Sequence, residues 1–133
     1  MTDVTIIVGS ESDFPALEPL KEKLNELKIG YSVNVISAHR NLPELMEFVK
    51  TNKTKIYITA AGLSAALPGV VASLVEQPVI GVPIVVGALA GMDALMSILQ
   101  LPKGIPCATM GIGKQGMINA ALLADRMLKI NSK

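Results

Sequence analysis

The residues best suited to chemistry are Ser37-Ala-His-Arg40, a stretch with the only histidine of the chain and one of its two arginines. An imidazole can exchange a proton near neutral pH, and the planar guanidinium of arginine suits a phosphate group. The stretch follows an apolar alternating run, Tyr31–Ile36, and precedes a typical helix start, Leu42-Pro-Glu44. Ligands in open α/β sheets bind beyond the carboxyl ends of strands, so the position predicts either a functional site or an ordinary helix-capping turn.

A second loop, Gly9-Ser-Glu-Ser-Asp13, carries two hydroxyls and a carboxylate. Ser10 and Ser12, next to backbone N–H groups at a helix start, would suit an anion. Asp13 would suit a pair of sugar hydroxyls, as acidic residues do in nucleotide-binding folds. The same order of residues is common at a plain N-cap, so both interpretations remain open.

Two later loops consist mainly of small and aliphatic residues. Residues 60–69 are too poor in polar groups to supply catalytic side chains, but small residues let a ligand approach the backbone closely. Alternatively, this loop is only a tight corner at which a helix packs against a strand. Residues 86–93 could cover a cleft or simply begin a helix.

Strand-like and helix-like segments alternate along the chain with short connections. Strand patterns occur at Val4–Val8, Tyr31–Ile36, Lys55–Thr59, Val79–Val82 and Cys107–Gly111. The first of these is a short run without charge, as expected of a strand buried on both faces. Helical patterns occur at Phe14–Leu27, Pro43–Lys50, Val70–Val75, Leu89–Leu99 and Met117–Leu128. We expect Met46 to face inward, together with a buried stripe of Met92, Leu95, Met96 and Leu99. The alternation predicts a single domain over residues 1–133, a three-layer α/β/α sandwich with a five-stranded, parallel, flavodoxin-like sheet.

Composition excludes several classes of function. The net charge of +1, the scattered lysines and the four aromatic residues argue against nucleic acid as a partner. The lone cysteine, Cys107, fits a reducing compartment and a packing role. No apolar run is long enough for a membrane span and no secretory signal is visible, so we expect a soluble, cytoplasmic protein. One His and one Cys cannot form a metal cluster, and dinucleotide and Walker loops are missing from the sequence.

Half of the residues are hydrophobic, and the mean hydropathy of +0.49 is high for a chain of this size. A small domain has too much surface to hide so many apolar side chains alone. The composition therefore predicts a homo-oligomer.

In order and spacing, the loop motifs resemble those of the PurE family of purine biosynthesis over nearly the whole chain. The matching residues are Gly9-Ser-Glu-Ser-Asp13, Ser37-Ala-His-Arg40, Ala61-Gly62 with Leu67-Pro-Gly69, Pro78–Pro83, Gly91–Leu95, Gln100–Pro106 and Asn119–Ala124. The resemblance implies an enzyme that makes 4-carboxy-5-aminoimidazole ribonucleotide. It implies no metal and no organic cofactor.

The resemblance also implies roles for individual residues. His39 would move the proton on ring carbon C4, and Asp13 would bind the ribose hydroxyls. The phosphate would contact Ser10, Ser12 and Arg40, and Ser37 would complete the substrate-binding loop. The backbone that would hold a carboxylate or CO2 comprises Ala61, Gly62, Leu63, Ser64, Ala65 and Leu67.

One departure from the family pattern concerns the carboxyl donor. Class I members, which are mutases acting on N5-carboxyaminoimidazole ribonucleotide, usually have a second histidine where this chain has Ala66. The mutase reaction is our main expectation. Direct carboxylation of aminoimidazole ribonucleotide by CO2, as in class II, and a non-catalytic nucleotide-binding module are the alternatives. The resemblance further implies an octamer and functional pairing with an ATP-dependent synthetase that supplies the substrate.

Overall fold

The computed structural model describes residues 2–63 and 65–130. The strands are Thr2–Val8 (β1), Tyr31–Val35 (β2), Thr54–Ala61 (β3) and Val79–Pro83 (β4). The helices are Glu18–Glu26 (α1), Leu42–Thr51 (α2), Leu67–Leu74 (α3), Met92–Leu99 (α4) and Gly113–Leu128 (α5), and a 3-10 helix, Glu11–Leu17, precedes α1. All strand pairs are parallel, in the order β2-β1-β3-β4.

Helices cover both faces of this sheet, which confirms the α/β class and the layered arrangement. On one face, α1 and α5 pack against alternate residues of the strands; the core there includes Val4, Ile6, Leu20, Leu24, Ile58, Met117 and Ala121. On the other face, α2 and α3 pack against the intervening residues; the core there includes Ile7, Leu45, Val49, Tyr57, Leu67 and Val71. The central strands β1 and β3 are mainly apolar because both of their faces are buried over most of their length.

The expected fifth strand at Cys107–Gly111 is wrong, since the described chain has four strands. Ala108 forms a single parallel bridge with Ile80, in which its N–H donates to the Val79 carbonyl at 2.9 Å. The ladder does not extend because Pro106, two residues earlier, has no N–H to donate. Beyond the bridge, Gly111 leaves the extended conformation with a φ of +124°.

Several side chains predicted to be buried lie at the surface: Met46 is 47% exposed, Met92 47%, Met96 38% and Leu99 58%. On α4 the buried positions are Ala94 and Ile98 instead. The reason lies in β4, where Gly81 has no side chain. A Cβ at Gly81 would lie 2.9 Å from Pro68 Cβ and 3.0 Å from Ile98 Cδ1, so Pro68 and Ile98 share that space. Of the predicted stripe, only Leu95 is partly buried.

The first helix also differs from its predicted form, because the segment starts as a 3-10 helix that contains Pro15 and becomes α-helical only at Glu18. In the part of the chain that the structure describes, none of the helices is both long and apolar enough to span a membrane.

Candidate active site

A small pocket of about 120 Å³ lies where the carboxyl ends of β1, β2 and β3 meet. Its lining combines residues from the three loops that follow these strands: Gly9, Asp13, Ser37, Ala38, His39, Ala61, Gly62, Ala65, Ala66 and Leu67. β1 lies between β2 and β3 in the sheet, so the three loops converge although their residues are far apart in the sequence. This is the crevice where doubly wound sheets bind ligands.

The loop after β1 contributes Asp13 to the pocket but leaves its two serines outside. Ser10 caps the 3-10 helix: its Oγ accepts a hydrogen bond from Ser12 N at 3.3 Å and lies 2.9 Å from Ser12 Oγ. Both serines are exposed. Partial burial of Asp13 raises the pKa of its carboxyl above the ordinary value of 3.8, because desolvation disfavours the charged form.

The loop after β2 is a tight turn that presents His39 at its tip. Ser37 Oγ accepts a hydrogen bond from Arg40 N at 3.2 Å, and the Ser37 carbonyl accepts one from Asn41 N at 3.0 Å. These two bonds place the exposed imidazole of His39 on the pocket wall. The Arg40 side chain is exposed and does not line the pocket.

The loop after β3 forms the opposite wall from backbone and small side chains. Ala61, Gly62, Ala65 and Leu67 line the pocket, as their positions after the strand suggested. Leu63, in contrast, is 56% exposed and adopts a left-handed φ of +54°. The remaining predicted residue, Ser64, lies outside the described residues.

Sequence reasoning omitted three lining residues from the site: Gly9, Ala38 and Ala66. Each directly flanks a predicted site residue and has no functional group. For Gly9 and Ala38 adjacency was the only signal available, whereas Ala66 was also marked by the histidine that class I members usually have at that position. Ala66 also borders a second, apolar groove of about 500 Å³, which it shares with Ala65 and His39. The place occupied by the usual class I histidine therefore lies between the pocket and the groove.

The pocket offers one imidazole, one carboxyl with a raised pKa and a wall of small residues. This set can transfer a proton and surround a small planar group. Within residues 2–63 and 65–130, no group of three or more His, Cys, Asp or Glu side chains could hold a metal ion.

The sequence and the fold of this chain are similar to those of known proteins. The family model described as AIR carboxylase matches residues 3–133. The N5-carboxyaminoimidazole ribonucleotide mutase of Pyrococcus abyssi is 47% identical over 98% of this chain and 75% of its own length, and that of Brucella melitensis is 43% identical over 96% and 81%. The crystal structure of Treponema denticola PurE superposes with a TM-score of 0.86 at 33% identity, covering 96% of this chain and 80% of that one. The chain therefore belongs to the AIR carboxylase family, the PurE family that its loop motifs indicated.

Proposed function

We propose that the protein is an N5-carboxyaminoimidazole ribonucleotide mutase of purine biosynthesis, which moves a carboxylate from N5 to ring carbon C4. The observation that carries this proposal is the position of His39. The only imidazole of the chain lines a small pocket opposite the Ala61–Leu67 loop. Relatives at 43–47% identity over nearly the whole chain bear the name of this mutase.

The reaction needs a proton donor, a proton acceptor and a place to retain CO2. The carbamate bond at N5 breaks, His39 in its protonated form gives N5 a proton as general acid, and CO2 is released beside the ring. C4 of the electron-rich imidazole then attacks the carbon of CO2. His39 removes the C4 proton as general base, which balances the proton gained at N5.

The pocket has the size that this chemistry requires. Its volume of about 120 Å³ is several times the roughly 10–15 Å³ that one water needs on such a measure. CO2 therefore fits beside the reacting ring, while the sugar and phosphate must extend outward. Holding CO2 next to its acceptor makes the second step effectively unimolecular, and such proximity can contribute several kcal/mol, roughly 7–11 at best.

The outer part of the substrate would meet the exposed polar residues at the rim. We propose that Ser10, Ser12 and Arg40 contact the phosphate and that Asp13, aided by Ser37, holds the ribose hydroxyls. The serines and Arg40 are exposed beside the pocket, which suits a phosphate that reaches beyond it. The backbone of residues 61–67, which includes Leu63 and Ser64, would hold the migrating carboxylate.

Direct carboxylation by CO2 is a second candidate because of Ala66, which stands where class I members carry a histidine and opens toward the apolar groove. Product formation should be measured from the N5-carboxylated nucleotide without bicarbonate, and from aminoimidazole ribonucleotide with CO2. Fast turnover of the first supports the mutase. A preference for the second identifies a carboxylase, and nucleotide binding without any turnover supports a non-catalytic module.

The acid–base role has its own test in the His39→Asn variant. We expect this variant to bind the nucleotide with little change, since asparagine is polar and smaller, but to lose nearly all turnover. Calorimetric titration and product assays on the same preparation separate the two effects. Turnover close to the wild-type rate would rule out His39 as the base.

We also propose that residues 1–133 form a single domain and that the protein is cytoplasmic. Its exposed apolar side chains suggest a homo-oligomer, and we propose an octamer. Met92, Met96 and Leu99 project from α4 with nothing described over them, and burial between subunits would remove them from water. Pairing with a substrate-supplying synthetase remains part of this proposal. Sedimentation velocity that gives the mass of a single chain would contradict the oligomer.

A further inference from the structure

Two loops next to the pocket pack against each other through glycines. One is the loop after β3, which carries Gly62 and Leu63. The other follows β4 and carries Val86 and Gly87. A Cβ added at Gly62 would overlap Cγ2 of Val86, and a Cβ added at Gly87 would lie 2.7 Å from Cδ2 of Leu63. Each loop thus places a branched apolar side chain in the space that the other leaves empty.

The two loops leave the sheet at the same hydrogen bond. The last bond between β3 and β4 runs from Ile84 N to the Ala61 carbonyl at 2.9 Å, and both loops diverge immediately afterwards. Leu63 then takes a left-handed φ of +54°, which a leucine adopts only when its surroundings hold it there. The packing of Val86 and Gly87 against this segment supplies that support.

Val86 is a rigid neighbour for Gly62. A β-branched side chain has few accessible rotamers, so Val86 cannot easily turn away from an added methyl group. Gly62 itself does not need glycine for its backbone, because its φ is outside the left-handed region. The requirement for glycine at position 62 therefore comes from Val86.

We infer that Val86 is a positioning residue, which sets how far the Gly62 backbone stands from His39 on the opposite wall of the pocket. This inference rests on the proposed function, in which that backbone retains the migrating carboxylate. Val86 does not line the pocket, so its effect on the pocket is indirect and passes through the segment that carries Gly62. Its loss should affect retention of CO2 more than binding of the sugar and phosphate, whose proposed contacts lie on the other two loops.

The test is a cycle of four full-length proteins: wild type, Gly62→Ala, Val86→Ala and the double variant. A misplacement of about 1 Å can slow an enzyme about 100-fold, and we expect each single change to lower kcat about tenfold. KM should stay within about threefold because the proposed contacts to the sugar and phosphate, on the other two loops, are unchanged. In the double variant the new methyl at position 62 occupies the space vacated by Val86, so kcat should return to within about threefold of wild type.

A second readout follows the fate of CO2. When the loop is displaced, more of the N5-carboxylated nucleotide should end as aminoimidazole ribonucleotide and free CO2, because CO2 escapes before C4 attacks it. The single variants should raise this fraction and the double variant should lower it again. The loss of CO2 from the carbamate without enzyme must be measured and subtracted. After that subtraction, a defect in folding alone would reduce the amount of active enzyme without changing the ratio of the two products.

The Val86→Ile variant is the matched control and also the safeguard if Gly62→Ala does not fold. Isoleucine keeps both γ carbons, and Val86 is 37% exposed, so the added methyl can reach solvent. We expect wild-type kcat from Val86→Ile and a reduced kcat from Val86→Ala. Normal kcat and product ratio in Val86→Ala, or strictly additive effects in the cycle, would overturn the positioning role alone. An inactive wild type would overturn the proposed function, and the positioning role would fall with it.

Discussion

A buried threonine hydroxyl without a hydrogen-bond partner among the described residues leads to a testable prediction about the stability of the protein. Thr59 lies in β3 between Ile7 of β1 and Gly81 of β4 and is completely buried. Its Oγ1 has no hydrogen-bond partner among the described residues. An unpaired buried hydroxyl costs about 1–3 kcal/mol. We expect Thr59→Val to raise the free energy of unfolding by about 1 kcal/mol, the lower end of that range, since valine keeps the branched shape and adds no contact.

Thr5 in β1 provides the matched control. It is also completely buried, but its Oγ1 accepts a hydrogen bond from Asn52 Nδ2 at 3.0 Å. Thr5→Val removes this acceptor, so we expect a loss of about 1 kcal/mol. The same substitution should therefore change stability in opposite directions at two threonines, with a gap of about 2 kcal/mol between the variants. For a chain of this length, that gap corresponds to roughly 8 °C in Tm.

Urea unfolding followed by circular dichroism measures both effects. All proteins should be compared at the same concentration, because an oligomer makes apparent stability depend on concentration. Equal m-values would show that the substitutions leave the extent of unfolding unchanged. If Thr59→Val were as destabilising as Thr5→Val, the Thr59 hydroxyl would have a hydrogen-bond partner in solution and the reasoning would be refuted.

Three further predictions concern the Arg40 guanidinium, the Asp13 carboxyl and the Cys107 thiol. Arg40→Ala should weaken nucleotide binding by roughly 1.5–3 kcal/mol, the scale of a charge-assisted bond, and unchanged affinity in a calorimetric titration would remove Arg40 from the phosphate site. Burial raises the pKa of Asp13 above 3.8. The free energy of unfolding therefore falls as the pH rises above 3.8 and Asp13 ionises in the folded protein. Without ligand, Asp13→Asn should melt higher than wild type at neutral pH and lose this advantage below pH 3.8; a gap independent of pH would contradict this. Burial also raises the pKa of the Cys107 thiol from 9.0 to about 11, so at a given mildly alkaline pH the folded protein should be alkylated about 100-fold more slowly than the urea-unfolded chain; equal rates would contradict it.

The features that sequence predicted well are those fixed by local pattern. The apolar run of β1 indicated a strand buried on both faces, the pattern of β3 indicated a strand, and Pro43 indicated the start of α2. The loops after β1, β2 and β3 were also placed correctly, because parallel strands bring their carboxyl ends to one edge. Residues 86–93, which could have covered the same cleft, do not line the pocket. This is why Asp13, His39 and Gly62 could be expected to meet.

The features that sequence predicted badly depend on partners far along the chain. The Cys107–Gly111 segment has the composition of a strand, yet its pairing with β4 is confined to Ala108. The orientation of α4 depends on Gly81, a residue in another element, and no periodicity within α4 contains that information. The packing of Val86 on Gly62 is equally non-local.

The pairing of the first and last helices has a consequence for synthesis of the protein. Leu20 and Leu24 of α1 are covered by Met117, Ala121 and other residues of α5, about a hundred positions later in the chain. A nascent chain emerges from the ribosome in sequence order, so the apolar face of α1 has no intramolecular cover until α5 has been made. Transiently exposed surface of this kind promotes aggregation. One side of the core therefore stays open until α5 has been made, although all three loops of the pocket precede α5 in the chain.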